Sequence, residues 1–343
     1  MGLDFLGPDL HHQPNFCKTS LSSRDGSSRA IFVQTQTQTL HPIDPLSSFW
    51  ISPMSKQHVP LISGAKSLAG NYKAWFCDVW GVVHNGVEVF TKATDALSQF
   101  RRSGGKVILV TNAPRPADNI VAQLNQMKVP REAYDVVVTS GDVTRDMLST
   151  VGDAPVIHLG PDRDKPLLEG MDFNLVTADK ADHIICTGLR DDTTETPDDY
   201  AEELLAGATR GATMICANPD IVVERGTSLF YCAGALAAEY KKLGGKVVYG
   251  GKPHGPVYDL CFRKLAELTG ETTEKSQVLA IGDGMKTDIL GAHDAGLDAL
   301  YVADGIHRED IVDAAGAPDQ DLLDGLFKNI KRPPVAAVFG LSW

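Results

Sequence analysis

Ala74 to Gly86 reads AWFCDVWGVVHNG. The apolar run Ala74-Trp75-Phe76-Cys77 closes on Asp78, and Gly81 with Asn85-Gly86 permits sharp turns just beyond it. A buried strand that ends in a lone carboxylate and a nearby glycine delivers an acid to its carboxyl end. In open α/β sheets that edge is where ligands bind. An ordinary strand followed by a solvated Asp would look the same locally, so the reading depends on the residues that join Asp78 further along.

Downstream of Asp78 the pattern alternates. Thr91 to Ser103 has helical spacing and stops at Gly104-Gly105; Lys106 to Val110 is a second buried strand running into Thr111-Asn112. Pro116 opens a helix with Ile120, Val121, Leu124 and Met127 on one face, and Asp135 to Thr139 is a third strand. This βαβαβ order predicts a parallel sheet with helices on both faces, an α/β fold of the Rossmann-like type. A second alternating set lies between about residues 147 and 248, with strands near Val156–Leu159, His183–Thr187 and Thr213–Ala217. The first alternation is then expected to resume with a strand at Lys246–Tyr249 leading to Gly251-Lys252-Pro253, and a later strand ends in Gly282-Asp283-Gly284. The expected organisation is a disordered extension over residues 1–60, a core over 61–146 and 246–343, and an inserted α/β cap over 147–245.

Composition narrows the function classes. The chain has 343 residues, an apolar fraction of 43% and a net charge of −12, which argue for a globular protein and against nucleic acid or an anionic membrane as partner. No apolar run approaches the roughly 18 residues of a spanning helix. The six cysteines, Cys17, Cys77, Cys186, Cys216, Cys232 and Cys261, form no Cys-x-x-Cys pair. They read as buried free thiols of a reducing cytoplasm. The first 60 or so residues are rich in Ser, Thr, Gln, His and Pro and contain QTQTQT, a composition that does not offset its ordering entropy. With Asp4, Asp9, Asp25 and Asp44 they make a poor transit peptide, although organellar import stays open, as does a natural start at Met54.

The polar signals at the expected strand ends are chemically complementary. Asp78 is a carboxylate able to attack phosphorus. Thr111 and Asn112 can hold phosphoryl oxygens, Lys252 can offset gathering negative charge, and Asp283 with Asp288 can complete an oxygen-ligand site for Mg²⁺. Any one of them alone would read as a cap or a surface group.

Together these residues resemble the haloacid-dehalogenase-like hydrolase superfamily. Asp78-Val79-Trp80-Gly81 resembles its first motif, Val110-Thr111-Asn112 its second, Gly251-Lys252-Pro253 its third, and Gly282-Asp283-Gly284-Met285-Lys286-Thr287-Asp288-Ile289 its fourth. The insertion between the second and third motifs, with Ala217-Asn218-Pro219-Asp220 inside it, resembles subclass IIA, the sugar-phosphate and nitrophenyl-phosphate phosphatases. The resemblance implies a cap over the site, a Mg²⁺ cofactor, a phospho-aspartyl intermediate, a small phosphorylated metabolite as substrate, and pairing of copies through the caps. It further implies Asp78 as nucleophile and metal ligand, Thr111 and Asn112 as phosphoryl-binding, and Lys252 as the orienting cation. Asp283 and the Trp80 backbone carbonyl would be metal ligands, with Asp288 in support. Asn218 and Asp220 would face the leaving group, although Asn-Pro-Asp is also ordinary turn chemistry.

One position departs from the pattern. Phosphatases of this superfamily carry a second Asp two residues after the nucleophile, and here that position is Trp80. An indole supplies neither acid nor base near neutral pH. Three readings follow: a phosphatase for leaving groups that need little protonation or that borrows a proton from elsewhere, with His84 the nearest source; a module that binds a phosphometabolite without turnover; or another displacement at Asp78.

Overall fold

A computed structural model describes residues 58–226 and 228–343. The expected disorder of the preceding residues and the alternative start at Met54 lie outside the described residues. In chain order, the helix α1 (Lys66–Ala69) precedes β1 (Ala74–Asp78), α2 (Thr91–Arg102), β2 (Lys106–Thr111), α3 (Ala117–Gln126), β3 (Val136–Thr139) and α4 (Ser140–Leu148). Then come β4 (Pro155–Leu159), β5 (Asn174–Leu175), β6 (His183–Cys186), α5 (Ala201–Arg210), β7 (Thr213–Cys216), β8 (Val222–Arg225) and β9 (Ser228–Tyr231). They are followed by α6 (Ala233–Lys242), β10 (Lys246–Tyr249), α7 (Gly255–Thr269), β11 (Val278–Gly282), α8 (Leu290–Ala295), β12 (Asp298–Val302), α9 (Gln320–Phe327) and β13 (Ala336–Val338).

The core is a six-stranded sheet in the order β13-β12-β11-β1-β2-β3, and every pairing in it is parallel. All five residues of β1 are buried, as a central strand covered on both faces requires. On one face Trp75 stacks on Phe100 of α2 at 3.8 Å between ring centroids; on the other Phe76 meets Phe262 of α7 edge-on at 5.2 Å. Because β1, β2 and β11 run in one direction, Asp78, Thr111 and Asp283 all emerge at the same edge.

The cap has its own parallel sheet, β10-β7-β6-β4-β5, and an antiparallel hairpin β8–β9. Two expectations are corrected here. Lys246–Tyr249 is not a core strand: it pairs with β7, Val247 beside Met214 and Val248 beside Ile215. The crossover from β7 through α6 returns the chain to the cap sheet, so the cap runs to residue 249 and the core resumes only after Gly250-Gly251. At the other end the boundary falls within α4, whose last residue, Leu148, packs with Val156, Leu167 and Ile185 of the cap. The second correction concerns residues 58–60, which belong to the folded unit. Val59 is fully buried, its N–H donates to Asp324 Oδ1 at 3.2 Å, and the Pro60 carbonyl accepts from Ala337 N at 2.9 Å. Among the described residues, no helix is long and apolar enough to cross a membrane.

Asp324 anchors this entry segment, since it also accepts from Gln320 Nε2 at 2.8 Å and meets His58 Nδ1 at 3.1 Å. Asp324→Ala strands the buried Val59 N–H and should lower stability by about 1–3 kcal/mol, read by urea unfolding. An unchanged midpoint would mean that the segment contributes nothing to the fold.

Candidate active site

The site assembles where β1, β2 and β11 end. Lys252 reaches it by a different route, from the Gly250-Gly251 crossing between cap and core. Its backbone N–H donates to Asn112 Oδ1 at 2.7 Å and its carbonyl accepts from Asn112 Nδ2 at 3.1 Å. Asn112 therefore grips the residue that brings Lys252 into place. Gly251 is needed for that approach, because a Cβ there would sit 2.3 Å from Asn112 Oδ1. With its backbone held, Lys252 is buried and its ammonium donates to Asp78 Oδ1 and, at 2.7 Å, to Asp288 Oδ1.

Asp78, Asp283 and Asp288 are all buried, and they present carboxylate oxygens within 4.8 Å of one another. Asp283 is held by the Ile306 N–H, which donates to its Oδ2 at 2.9 Å. Gly81, at φ +86°, and Gly305 leave it room; a Cβ at Gly81 would lie 2.3 Å from Asp283 Oδ2. Asp288 is set by a wide turn, Met285–Ile289, in which Ile289 N donates to the Gly284 carbonyl at 3.1 Å. Asp288 Oδ2 accepts from Gly284 N at 3.1 Å. Thr111 Oγ1 accepts from Ala113 N at 3.2 Å, which leaves its proton to donate outward. The clamp from Ile306 is a contribution the sequence reading did not find; nothing local marks a backbone donor that lies 23 positions away.

Three carboxylates against one ammonium leave this buried cluster with excess negative charge. Burial first, then Asp288, lift the Asp283 carboxyl to about 7. Burial and Asp288 also push Asp78 up, with Lys252 pulling it back. Burial alone would lower Lys252, but Asp288 and Asp78 outweigh it and hold the ammonium charged. Convergent buried oxygen ligands with surplus negative charge suit a hard divalent cation.

The position two beyond Asp78 is occupied as the sequence implied. The Trp80 indole N–H donates to the Glu224 carbonyl of the cap hairpin at 2.5 Å, so it is spent on the cap. His84 lies edge-on to Trp80, 5.0 Å between centroids. Its Nδ1 accepts from Gly86 N at 3.0 Å, and burial lowers it to about 4. At neutral pH it is an uncharged ring that shapes the loop, a weak source of protons. From the cap, Asp220 Oδ1 accepts from Asn112 Nδ2 at 2.8 Å, and Asn218 Oδ1 accepts from Asp220 N at 3.0 Å. Asp220 is thereby brought to the site, whereas the Asn218 side chain closes the local Asn-Pro-Asp turn. Burial raises the Asp220 carboxyl to about 6, with Asn112 opposing.

A parallel-sheet core with this carboxylate–lysine edge and an inserted cap defines a class of α/β hydrolase. The model of the family described as Haloacid dehalogenase-like hydrolase matches residues 75–174, and a second, HAD-hydrolase-like, matches residues 249–327. A solved hydrolase of the haloacid dehalogenase-like family from Brucella suis 1330 is 45% identical, covering 82% of this chain and 100% of that one, with a TM-score of 0.73. The 5'-nucleotidase YutF of Bacillus subtilis (strain 168) is 27% identical over 252 residues, 72% of this chain and 93% of that protein. An acid sugar phosphatase of Staphylococcus aureus (strain USA300) is 25% identical over 252 residues, 72% and 92% of the two chains. The chain belongs to the haloacid dehalogenase-like hydrolase family.

The raised carboxyls make a prediction about pH. Folded Asp283 holds its proton up to about pH 7, whereas the unfolded chain releases it near 4, so the metal-free fold loses stability as pH rises through that window. The melting temperature of chelator-treated protein should fall from about pH 5 to about pH 8. An added divalent cation should raise it more at the higher pH. An equal shift at both would place the cation outside this cluster.

Proposed function

We propose that the chain is a Mg²⁺-dependent phosphatase of a small phosphorylated metabolite, acting through Asp78. The observation that carries this reading is the Lys252 ammonium bridging Asp78 and Asp288 at the edge where Thr111 and Asp283 also emerge. Asp78, Asp283 and the Trp80 carbonyl would hold Mg²⁺, with Asp288 beside them, and the ion would neutralise phosphoryl charge. A Mg²⁺ ion fits because the cluster carries surplus negative charge and offers only oxygen ligands.

The chain's own residues then divide the work. An Asp78 oxygen attacks phosphorus, forming a P–O bond to the enzyme while the bond to the leaving oxygen breaks. Lys252 aims Asp78 and favours its ionised form against the pull of burial, and Thr111 donates to a phosphoryl oxygen. A water oxygen then attacks phosphorus, the bond to Asp78 breaks, and inorganic phosphate leaves. The leaving oxygen needs a proton in the first step and the water must lose one in the second. Trp80 serves neither need, a deficit of roughly 10²–10⁴ in rate, or about 3–5 kcal/mol of barrier. The names of the similar proteins, a 5'-nucleotidase and an acid sugar phosphatase, support the phosphomonoester class. The described cysteines, Cys77, Cys186, Cys216, Cys232 and Cys261, are free and buried, which suits a reducing compartment such as the cytoplasm.

A second reading, a module that binds a phosphometabolite without turning it over, is favoured by one observation: the Trp80 N–H is committed to Glu224 while His84 is neutral. Turnover of 4-nitrophenyl phosphate with Mg²⁺ and its loss with chelator supports the phosphatase; phosphate binding without turnover supports the module. Asp78→Asn should reduce turnover by at least about 10³-fold with the melting temperature retained. Residual activity near that of the parent would remove Asp78 from the nucleophile role.

Trp80→Asp places a carboxyl beside the scissile bond and should raise turnover of sugar phosphates by about 10²-fold. Aryl phosphates, which need little proton, should gain much less. The substitution also cuts the tie to Glu224, so a matching melting temperature is part of the measurement. An unchanged leaving-group dependence in a folded variant would mean that the proton comes from elsewhere.

A further inference from the structure

Two arginines meet among the loops and strand ends of the cap. Arg163 lies in the short turn Asp162–Leu168 after β4, and Arg225 ends β8. Both converge on one carboxylate in the loop after β6. Asp192 Oδ2 accepts from Arg163 Nη2 at 2.6 Å and from Arg225 Nη2 at 3.1 Å. That carboxylate is only 7% exposed, whereas the two arginine side chains are 49% and 35% exposed. One buried anion is thus shared by two cations, each with further N–H donors facing solvent. The neighbouring Asp191 is exposed and accepts from Thr193 and Thr194.

Arg225 adjoins the loop that follows the nucleophile, since a Cβ at Gly86 would lie 3.4 Å from its Cγ. Next to Arg225, Gly226 N donates to Asn85 O at 3.4 Å, and the adjacent Glu224 carbonyl takes the Trp80 N–H. Arg225 is itself steadied by stacking over Phe230 at 4.4 Å. Elsewhere in the cap, Asp220 is held by Asn112. Lys252 and Thr111 serve the phosphoryl group, which leaves the arginines for whatever the phosphoryl group is attached to.

Resting on the phosphatase reading, we propose that Arg163 and Arg225 form a second anion subsite, and that the substrate is a phosphomonoester whose leaving group carries a further carboxylate or phosphate. Planar guanidinium forks match both acids. A chain of net charge −12 repels a multiply anionic substrate unless a local cationic site receives it. Binding energy gathered on a remote group can also be spent at the reacting centre, which matters where Trp80 supplies no proton.

The test compares matched esters with the Mg²⁺-loaded full chain: meta-carboxyphenyl phosphate against phenyl phosphate, and propanediol bisphosphate against propanediol monophosphate. In at least one pair the acid-bearing ester should be preferred by about tenfold in kcat/KM, mostly through KM, and the pair that shows it names the second acid. Arg163→Gln and Arg225→Gln should each bring that ratio close to one. If Arg225→Gln melts early because the hairpin loosens, Arg163→Gln decides. A parent ratio near one in both pairs, or a preference that survives in the folded variants, overturns the subsite. If no ester is turned over, the same ratios are read as dissociation constants. The subsite is then judged on binding, and the missing turnover counts against the phosphatase reading alone.

Discussion

A single buried ammonium holds the site together. Lys252 lies between Asp78 and Asp288, and with Asp283 close by its charge keeps three carboxylates in one small volume. Without that cation, ionised Asp78 and Asp288 would repel one another in a medium of low dielectric. With it, one more positive centre can be accommodated but is not supplied by any side chain in the cluster. Burial first, and the Asp288 carboxylate second, raise the carboxyls of Asp283 and Asp78. The same imbalance makes the site ready for a divalent cation and a phosphoryl group together.

Lys252 owes its place to Asn112, and Asn112 also touches the cap. One amide accepts the Lys252 N–H, donates to the Lys252 carbonyl, and donates to Asp220. The end of β2, the crossing at Gly250-Gly251 and the cap loop are thereby joined at one side chain. On the opposite flank Trp80 ties the catalytic loop to the β8–β9 hairpin through Glu224. The residue that replaces the expected acid therefore has a structural use, closing the cap against the loop that carries the nucleophile.

Much of this was legible in the sequence. The strand ending at Asp78, the Thr111-Asn112 pair and the Asp283–Asp288 turn follow from apolar runs that stop at polar residues. The parallel sheet then follows from their alternation with helices. Lys252 was legible as chemistry but not in origin: a β-branched run before Gly-Gly-Lys looks alike whether it joins the core or the cap. Only the pairing of Val247 with Met214 assigns Lys246–Tyr249 to the cap. The β8–β9 hairpin carries a readable signal, apolar and β-branched residues on either side of Gly226, yet its contact with Trp80 spans 144 positions. No local pattern encodes such a contact. Val59 was hidden for another reason, because the short run Val59-Pro60-Leu61-Ile62 beside a polar segment is too brief to show a period.

The central claim is that Asp78 takes the phosphoryl group. With Trp80 in place of a general base, hydrolysis of the phospho-aspartyl form should be slow, so that form should accumulate. The most direct measurement is mass spectrometry of acid-quenched peptides after incubation with Mg²⁺ and 4-nitrophenyl phosphate. The account predicts one phosphoryl group on the peptide that contains Asp78, removed by Asp78→Asn. Steady turnover with that peptide unmodified, and with Asp78→Asn as active as the parent, would contradict it.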